Sequence, residues 1–331
     1  MHRFSNTREM NFIRFLKNWT LPVSMLTGVI AYFVYVNIPG IGFTRPFVNK
    51  AVGIIQPLLI FAMLFLTFCK VSLKELHFCR WHLWLLLIQS LSFTGLAIIL
   101  MLLPHSGLRV VLEGAMICLI CPTATAAAVI TRKLGGNAAS LTTYTIFINL
   151  VTALLVPALV PFVHPHPEMS AFTSFVLIIG KVFPLLLLPF ISAILLRYLF
   201  PKLHARISEF HDLSFYLWAV ALALAIAVTV KSIVHSEVSF FTELGLALVS
   251  LVCCALQFLV GRKIGMYYHD PVSAGQSLGQ KSTVFAIWMG YTFFSPITAV
   301  VGGFYSVWHN VVNSYQLYRA RKEEEHKSLA H

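Results

Sequence analysis

The chain has 331 residues, 58% of them hydrophobic and 11% charged, and carries a formal net charge of +12 with a mean hydropathy of +0.81. A composition this apolar over this length excludes an ordinary soluble protein. A nucleic-acid surface is excluded as well, because the basic residues stand in short segments between apolar runs and form no patch on a polar domain.

In chain order, residues 1–18 place Phe4, Phe12, Ile13, Phe15 and Leu16 among basic residues, which reads as a short interfacial helix with no cleavable signal. Charge-poor runs long enough to cross roughly 30 Å of hydrocarbon follow at 19–38, 47–69, 81–103, 110–131, 138–162, 171–196, 213–234, 240–260, 271–293 and 298–318. The expectation is an all-α membrane protein of ten transmembrane helices. Two of these boundaries come from dividing long uncharged stretches, with Pro157, Pro161 and Ser295-Pro296 as the expected ends or kinks. The one sizeable polar linker is 197–212, and a Pro-rich turn, His164-Pro-His-Pro167, follows the fifth run.

Of the 24 Lys and Arg residues, 18 fall in the N-terminal segment, in the loops after even-numbered spans and in the tail; Arg45, Lys50, Arg109 and Lys231 fall on the other side, and Lys181 and Lys281 within spans. The positive-inside rule then places both termini in the cytoplasm, and the expected location is a bacterial-type inner (plasma) membrane. The net charge follows from the same division: 18 bases against 8 acids inside gives +10, 4 against 4 outside gives 0, and the two lysines within spans complete +12. The six cysteines show no metal-ligand or extracellular pairing spacing and read as small apolar packing residues. No metalloprotease motif or activated nucleophile is present, so no catalytic residue is assigned and the chain is not expected to be an enzyme.

Two small, polar, helix-weakening runs interrupt the apolar pattern, Cys121-Pro-Thr-Ala-Thr-Ala-Ala-Ala128 and Gly275-Gln-Ser-Leu-Gly-Gln-Lys-Ser-Thr283. A helix broken inside a bilayer exposes N–H and C=O groups that hydrocarbon cannot satisfy, so each break must face protein, ligand or a wet cavity. Lys281 lies about eleven residues, roughly 16 Å at 1.5 Å per residue, from either end of its span. That is beyond an easy reach to an interface, and a lysine at such depth costs roughly 2.5–3.5 kcal/mol to insert. Lys181, three residues before Pro184, reads equally as a packed lysine near a kink. Glu113 and Glu243 lie within a turn or so of the outer surface and read as interfacial. Both breaks fall fourth in a half of five spans, as an inverted repeat requires. The expected division is 1–18 as a cytoplasmic segment, 19–167 and 168–318 as two five-helix repeats, and 319–331 as a cytoplasmic tail.

Cys121-Pro122 with the run to Val129, then Gly136-Asn137, a Ser/Thr-bearing fifth span with Pro157, then Gly279-Gln280 and Ser306-Val-Trp-His-Asn310, resemble the bile acid:sodium symporter family over about 200 residues. That resemblance implies panel and core domains, with the fourth and ninth helices unwound and crossing near the midplane. It implies a small organic anion as cargo (a bile acid, a 2-keto acid, pantoate or another carboxylate), a lipid bilayer as surroundings, and no protein partner. By position, Thr125, Lys281, Thr283, His309 and Asn310 line the implied substrate cavity, with Thr123 beside it and Ser282 among the groups that hold the anion. Gln89, Thr145, Gln276 and Gln280 stand at the implied sodium-ligand positions. His309 also reads as a hydrogen-bonded packing residue, and Gln89 as a bond to a neighbouring helix.

The departures alter the expected coupling. The family's Ser-Asn ligand pair is Ala127-Ala128 here, a fifth-helix serine is Leu141, the shared acidic residue is Gln276, and an asparagine is replaced by Lys281. Sodium requires several oxygens, and a cation about 4 Å from another is repelled by roughly 4 kcal/mol at an effective dielectric near 20. The expectation is alternating-access transport without the usual sodium coupling, uncoupled or coupled to protons, and with no cofactor. Two alternatives stand beside it: a sodium symporter with a rebuilt cation site, and a substrate-sensing receptor that kept the crevice.

Overall fold

The computed structural model describes residues 22–165, 168–210, 213–236 and 238–329, with the side chains at 73, 215 and 324–329 left aside. The interfacial helix expected within residues 1–18 lies outside the described residues. The elements are α1 (Pro22–Asn37), α2 (Arg45–Cys69), α3 (Arg80–Leu102), α4 (Arg109–Ile120), α5 (Ala127–Lys133), α6 (Ala138–Val163), α7 (Ala171–Leu199), α8 (Pro201–Glu209), α9 (Leu213–Val234), α10 (Phe240–Tyr267), α11 (Pro271–Gly279), α12 (Thr283–Phe293) and α13 (Pro296–Leu329). Among the described residues six helices are long and apolar enough to cross a bilayer, namely α2, α3, α6, α7, α9 and α10. Large apolar side chains such as Phe43, Phe172, Leu102 and Leu259 point outward at 83%, 75%, 73% and 65% exposure, a surface that only lipid can cover at this extent. The chain is a multi-pass, all-helical membrane protein.

Several elements differ from the sequence expectation for local reasons. Pro157 and Pro161 do not end α6, which continues to Val163; neighbouring helices tolerate proline inside a membrane helix. Pro296 instead opens α13, at a position where its missing N–H costs nothing. The polar stretch 197–212 contains α8, started by Pro201. The helix of the tenth run does not stop at 318, and α13 continues to Leu329. The second polar run is mostly helical. Asp270 accepts from Ser273 N at 3.3 Å and Pro271 stands at the first turn, so α11 starts before the run and includes Gly275 to Gly279, and only residues 280–282 are unwound.

The two short helices α5 and α11 are set by caps and glycines. Gly135, at φ 77°, lets the chain leave α5, and Gly136 N returns to Thr131 O at 2.8 Å, the six-to-one bond of a Schellman ending. Asn137 then caps α6 by accepting from Ser140 N at 3.0 Å. Its own N–H donates to Ser273 Oγ of α11 at 2.8 Å, which ties the start of α6 to the start of α11.

Packing places α4, α10, α11 and α13 together with α3 and α6, while α2 packs on α7 and α9. The apolar core runs through Met116, Ile117, Ile120, Phe285, Ile287 and Met289 on both sides of the two breaks. Glu113 is buried at 2% exposure, contrary to its interfacial reading. Its carboxylate takes Arg109 Nε at 3.1 Å, lies 3.3 Å from His164 Nδ1 and accepts from Thr298 Oγ1 at 3.3 Å. Arg109 also donates to Val163 O. One carboxylate thus joins the start of α4, the end of α6 and the start of α13, where three donors offset the loss of water.

Candidate functional site: the crossing of two interrupted helices

The helices α4 and α11 stop inside the protein and their unwound ends meet. Thr123 and Lys281 pair as an isolated antiparallel bridge, with Ala124 N donating to Gln280 O and Ser282 N to Pro122 O, both at 2.8 Å. Each break supplies the backbone partners that the other lost, which meets the requirement that lipid imposes on irregular backbone.

The open carbonyls of the last turn of α4 are taken by side chains from α3, α6, α10 and the second break. Cys118 O accepts from Gln257 Nε2 at 3.2 Å, and Leu119 O from Lys281 Nζ at 3.4 Å. Ile120 O accepts from Gln89 Nε2 and from Thr152 Oγ1, each at 3.0 Å, and Cys121 O from Gln89 Nε2 at 3.0 Å. At the end of α11, Ser277 O accepts from Thr123 Oγ1 at 2.7 Å and Gly279 O from Tyr305 OH at 2.8 Å. A helix C-terminus carries partial negative charge, and the Lys281 ammonium, in a side chain only 1% exposed, stands against that of α4.

The candidate residues therefore divide. Thr123, Gln89 and Lys281 are brought together at the crossing, though the Thr123 hydroxyl already donates to Ser277 O. Thr125 and Ser282 are half-buried in the breaks, and Thr283 is buried at the start of α12. His309 is buried, with its ring 5.7 Å edge-on from Tyr305 and its Nδ1 without a partner. Asn310 donates to Ser306 O of its own helix at 2.7 Å, so its amide nitrogen already has a local acceptor. The supporting set of Tyr144, Thr152, Gln257 and Tyr305 went unread in the sequence. The available signal was the presence of polar groups within apolar spans, which buried bundles require to be partnered.

The positions implied for sodium are largely engaged with the protein itself. Gln89 spends both its nitrogen and its oxygen, the latter accepting from Tyr144 OH at 2.8 Å. Thr145 donates back to Leu141 O at 3.0 Å. Gln276 donates to Asn313 Oδ1 at 3.0 Å and Gln316 Oε1 at 2.9 Å. Two amide oxygens, those of Gln276 and Gln280, are buried without partners, and the side chains at 127, 128 and 141 offer no oxygen. Gln89 thus caps carbonyls, Thr145 turns back on its own helix and Gln276 bonds α13, whereas a hard cation calls for several oxygens converging.

Comparison of the sequence with known proteins places the chain among transporters. Residues 57–236 match the family described as the Sodium Bile acid symporter family. A relative from Bacillus subtilis (strain 168), "Uncharacterized sodium-dependent transporter YocS", is 24% identical over 238 residues, which cover 69% of this chain and 68% of that protein.

Proposed function

The chain belongs to the sodium bile acid symporter family, a family of transporters and not of enzymes, and from that membership we propose that it moves a small organic anion by alternating access without sodium coupling. The observation that carries this reading is Lys281, whose ammonium lies at the C-terminal carbonyls of α4 within the crossing. When protonated, its ammonium supplies part of what a bound cation supplies elsewhere: it offsets the carbonyl charge and attracts the anionic group. The half-helix starting at Thr283, with Thr125 and Ser282 in the breaks, offers hydroxyls and N–H groups to that anion. The architecture that suits this mechanism is ten crossings in two inverted repeats, 19–167 and 168–318, a panel that includes α2, α7 and α9 working against a core that includes α4, α10, α11 and α13, and both termini in the cytoplasm.

A second reading is supported by the name of the Bacillus subtilis relative, which calls that protein sodium-dependent, and by the partnerless oxygens of Gln276 and Gln280, which could rebuild a cation site. Counterflow in proteoliposomes decides between the two. Uptake is expected to change less than about twofold when sodium is replaced by choline at constant ionic strength, because little differential affinity is left to couple the two binding events. A steep, saturable dependence on sodium establishes the second reading, and binding without any flux makes the protein a receptor on a carrier fold.

A further inference from the structure

A cavity of about 850 Å³ lies away from the crossing, bounded by α1, α2, α7, α9 and α12 and lined by Arg45, Lys181 and Lys231 with Asn49, Gln56 and Trp288 among its other side chains. Its size is at the upper part of the roughly 300–1,000 Å³ that ligand pockets span. Among the described residues no carboxylate lines it. Six of the chain's bases fall outside the set assigned to the inner face, namely Arg45, Lys50, Arg109, Lys181, Lys231 and Lys281, and three of those six converge here. Positive charge gathered in an apolar-walled space with no acid beside it is complementary to an anion that enters from outside.

The donors stand in two tiers. Arg45 opens α2 and Lys231 lies in the last turn of α9, its ammonium held at 2.7 Å by Asn49 Oδ1. Gln56 is eleven residues further along α2, and Lys181 is ten residues into α7. At 1.5 Å per residue Gln56 is roughly 16 Å along α2 from Arg45, and the Phe68–Phe190 ring contact at 5.3 Å sets Lys181, nine residues before Phe190, near the level of Gln56, twelve residues before Phe68. Lys181 holds its ammonium 5.9 Å above the Phe293 ring. The Gln56 side chain is 3% exposed, and its amide nitrogen is buried without a hydrogen-bond partner, which a native interior leaves so only where something else supplies the acceptor.

We propose that this cavity is an anion site separate from the crossing, selective for an elongated organic dianion: one acidic group at Arg45 and Lys231, an apolar body along the walls, and the second group at Lys181 and Gln56. The proposal rests on the transporter reading for the role of its ligand as cargo and narrows that cargo to a class. A monoanion leaves one cationic tier unmatched, and a short dianion does not span the tiers. α12 carries both Trp288 in the cavity wall and Thr283 at the crossing, so a ligand here bears on the half-helix that starts at the break.

The test uses the full-length protein in lipid nanodiscs with dodecanedioate, its monomethyl ester and hexanedioate, read by calorimetric titration. Dodecanedioate is expected to bind at least tenfold more tightly than the ester or hexanedioate, and Lys181→Met and Lys231→Met are each expected to abolish that preference while eluting as monodisperse protein. Equal binding of diacid and ester, no binding of dodecanedioate, or full preference retained in a folded Lys181→Met protein overturns the proposal. If one variant fails to fold, the other carries the same comparison. Binding is measured apart from flux: dodecanedioate that binds as expected but shows no counterflow retires the transporter reading and leaves the site standing, whereas counterflow of another anion without dodecanedioate binding does the reverse.

Discussion

Gln89 shows how one side chain can hold an interrupted helix in place. Its amide nitrogen caps two carbonyls at the end of α4 and its oxygen accepts from Tyr144. Leucine of similar volume removes all three bonds. Ile120 O keeps Thr152, but Cys121 O and the Tyr144 hydroxyl lose a buried partner, at about 1–3 kcal/mol each. Gln89→Leu is therefore expected to lower the thermal unfolding midpoint in detergent, and an unchanged midpoint would mean that water replaces the amide. Lys281 is the functional counterpart. Lys281→Met is expected to insert and fold yet lose anion binding, whereas Lys281→Arg keeps charge but brings a planar fork into a site shaped for a point charge and is expected to recover only part of it. Wild-type affinity in the methionine variant would reduce Lys281 to a packing residue.

Between elements, the second break depends on how closely α11 lies on α10. A Cβ at Gly261 would stand 2.6 Å from Ala274 O, and one at Gly265 would stand 2.7 Å from Pro271 Cα. This is a small-xxx-small contact, in which two backbones approach because nothing projects between them. The obstructing atoms are backbone, so they cannot rotate away. Gly261→Leu is expected to separate α11 from α10 and leave little monodisperse protein on size exclusion. Gly95→Leu on α3, where a Cβ meets nothing within 4 Å, is expected to be tolerated. Equal yields from the two variants would show that α11 is held by its caps and hydrogen bonds and not by close packing on α10.

Across the whole molecule, the placement of 18 of 24 bases at alternate ends of successive apolar runs predicts ten crossings with both termini inside. A reporter fused after Leu329 that is active only outside the cell is expected to be silent, and a cysteine placed in α8 at Lys202 is expected to resist a membrane-impermeant thiol reagent added to intact cells. A positive signal from either one reverses the orientation or changes the count of crossings.

Composition and hydropathy alone settled that this is a helical membrane protein, since 58% hydrophobic residues in charge-free runs have no other stable environment. The small polar runs alone placed both breaks to within a few residues, because glycine, proline and hydroxyl side chains weaken a helix locally whatever surrounds it. Glu113 was beyond such reading. Its distance from a span end suggested an interface, and only the approach of Arg109, His164 and Thr298 from other segments made burial affordable. The same holds for the caps on α4: Gln257, Thr152 and Gln89 stand on three different helices, and a hydrogen bond between residues tens of positions apart has no local signature. Arg45, Lys181 and Lys231 likewise sit on three different helices. That they share one cavity was decided by packing, because charge density is a property of space and the sequence orders residues only along the chain.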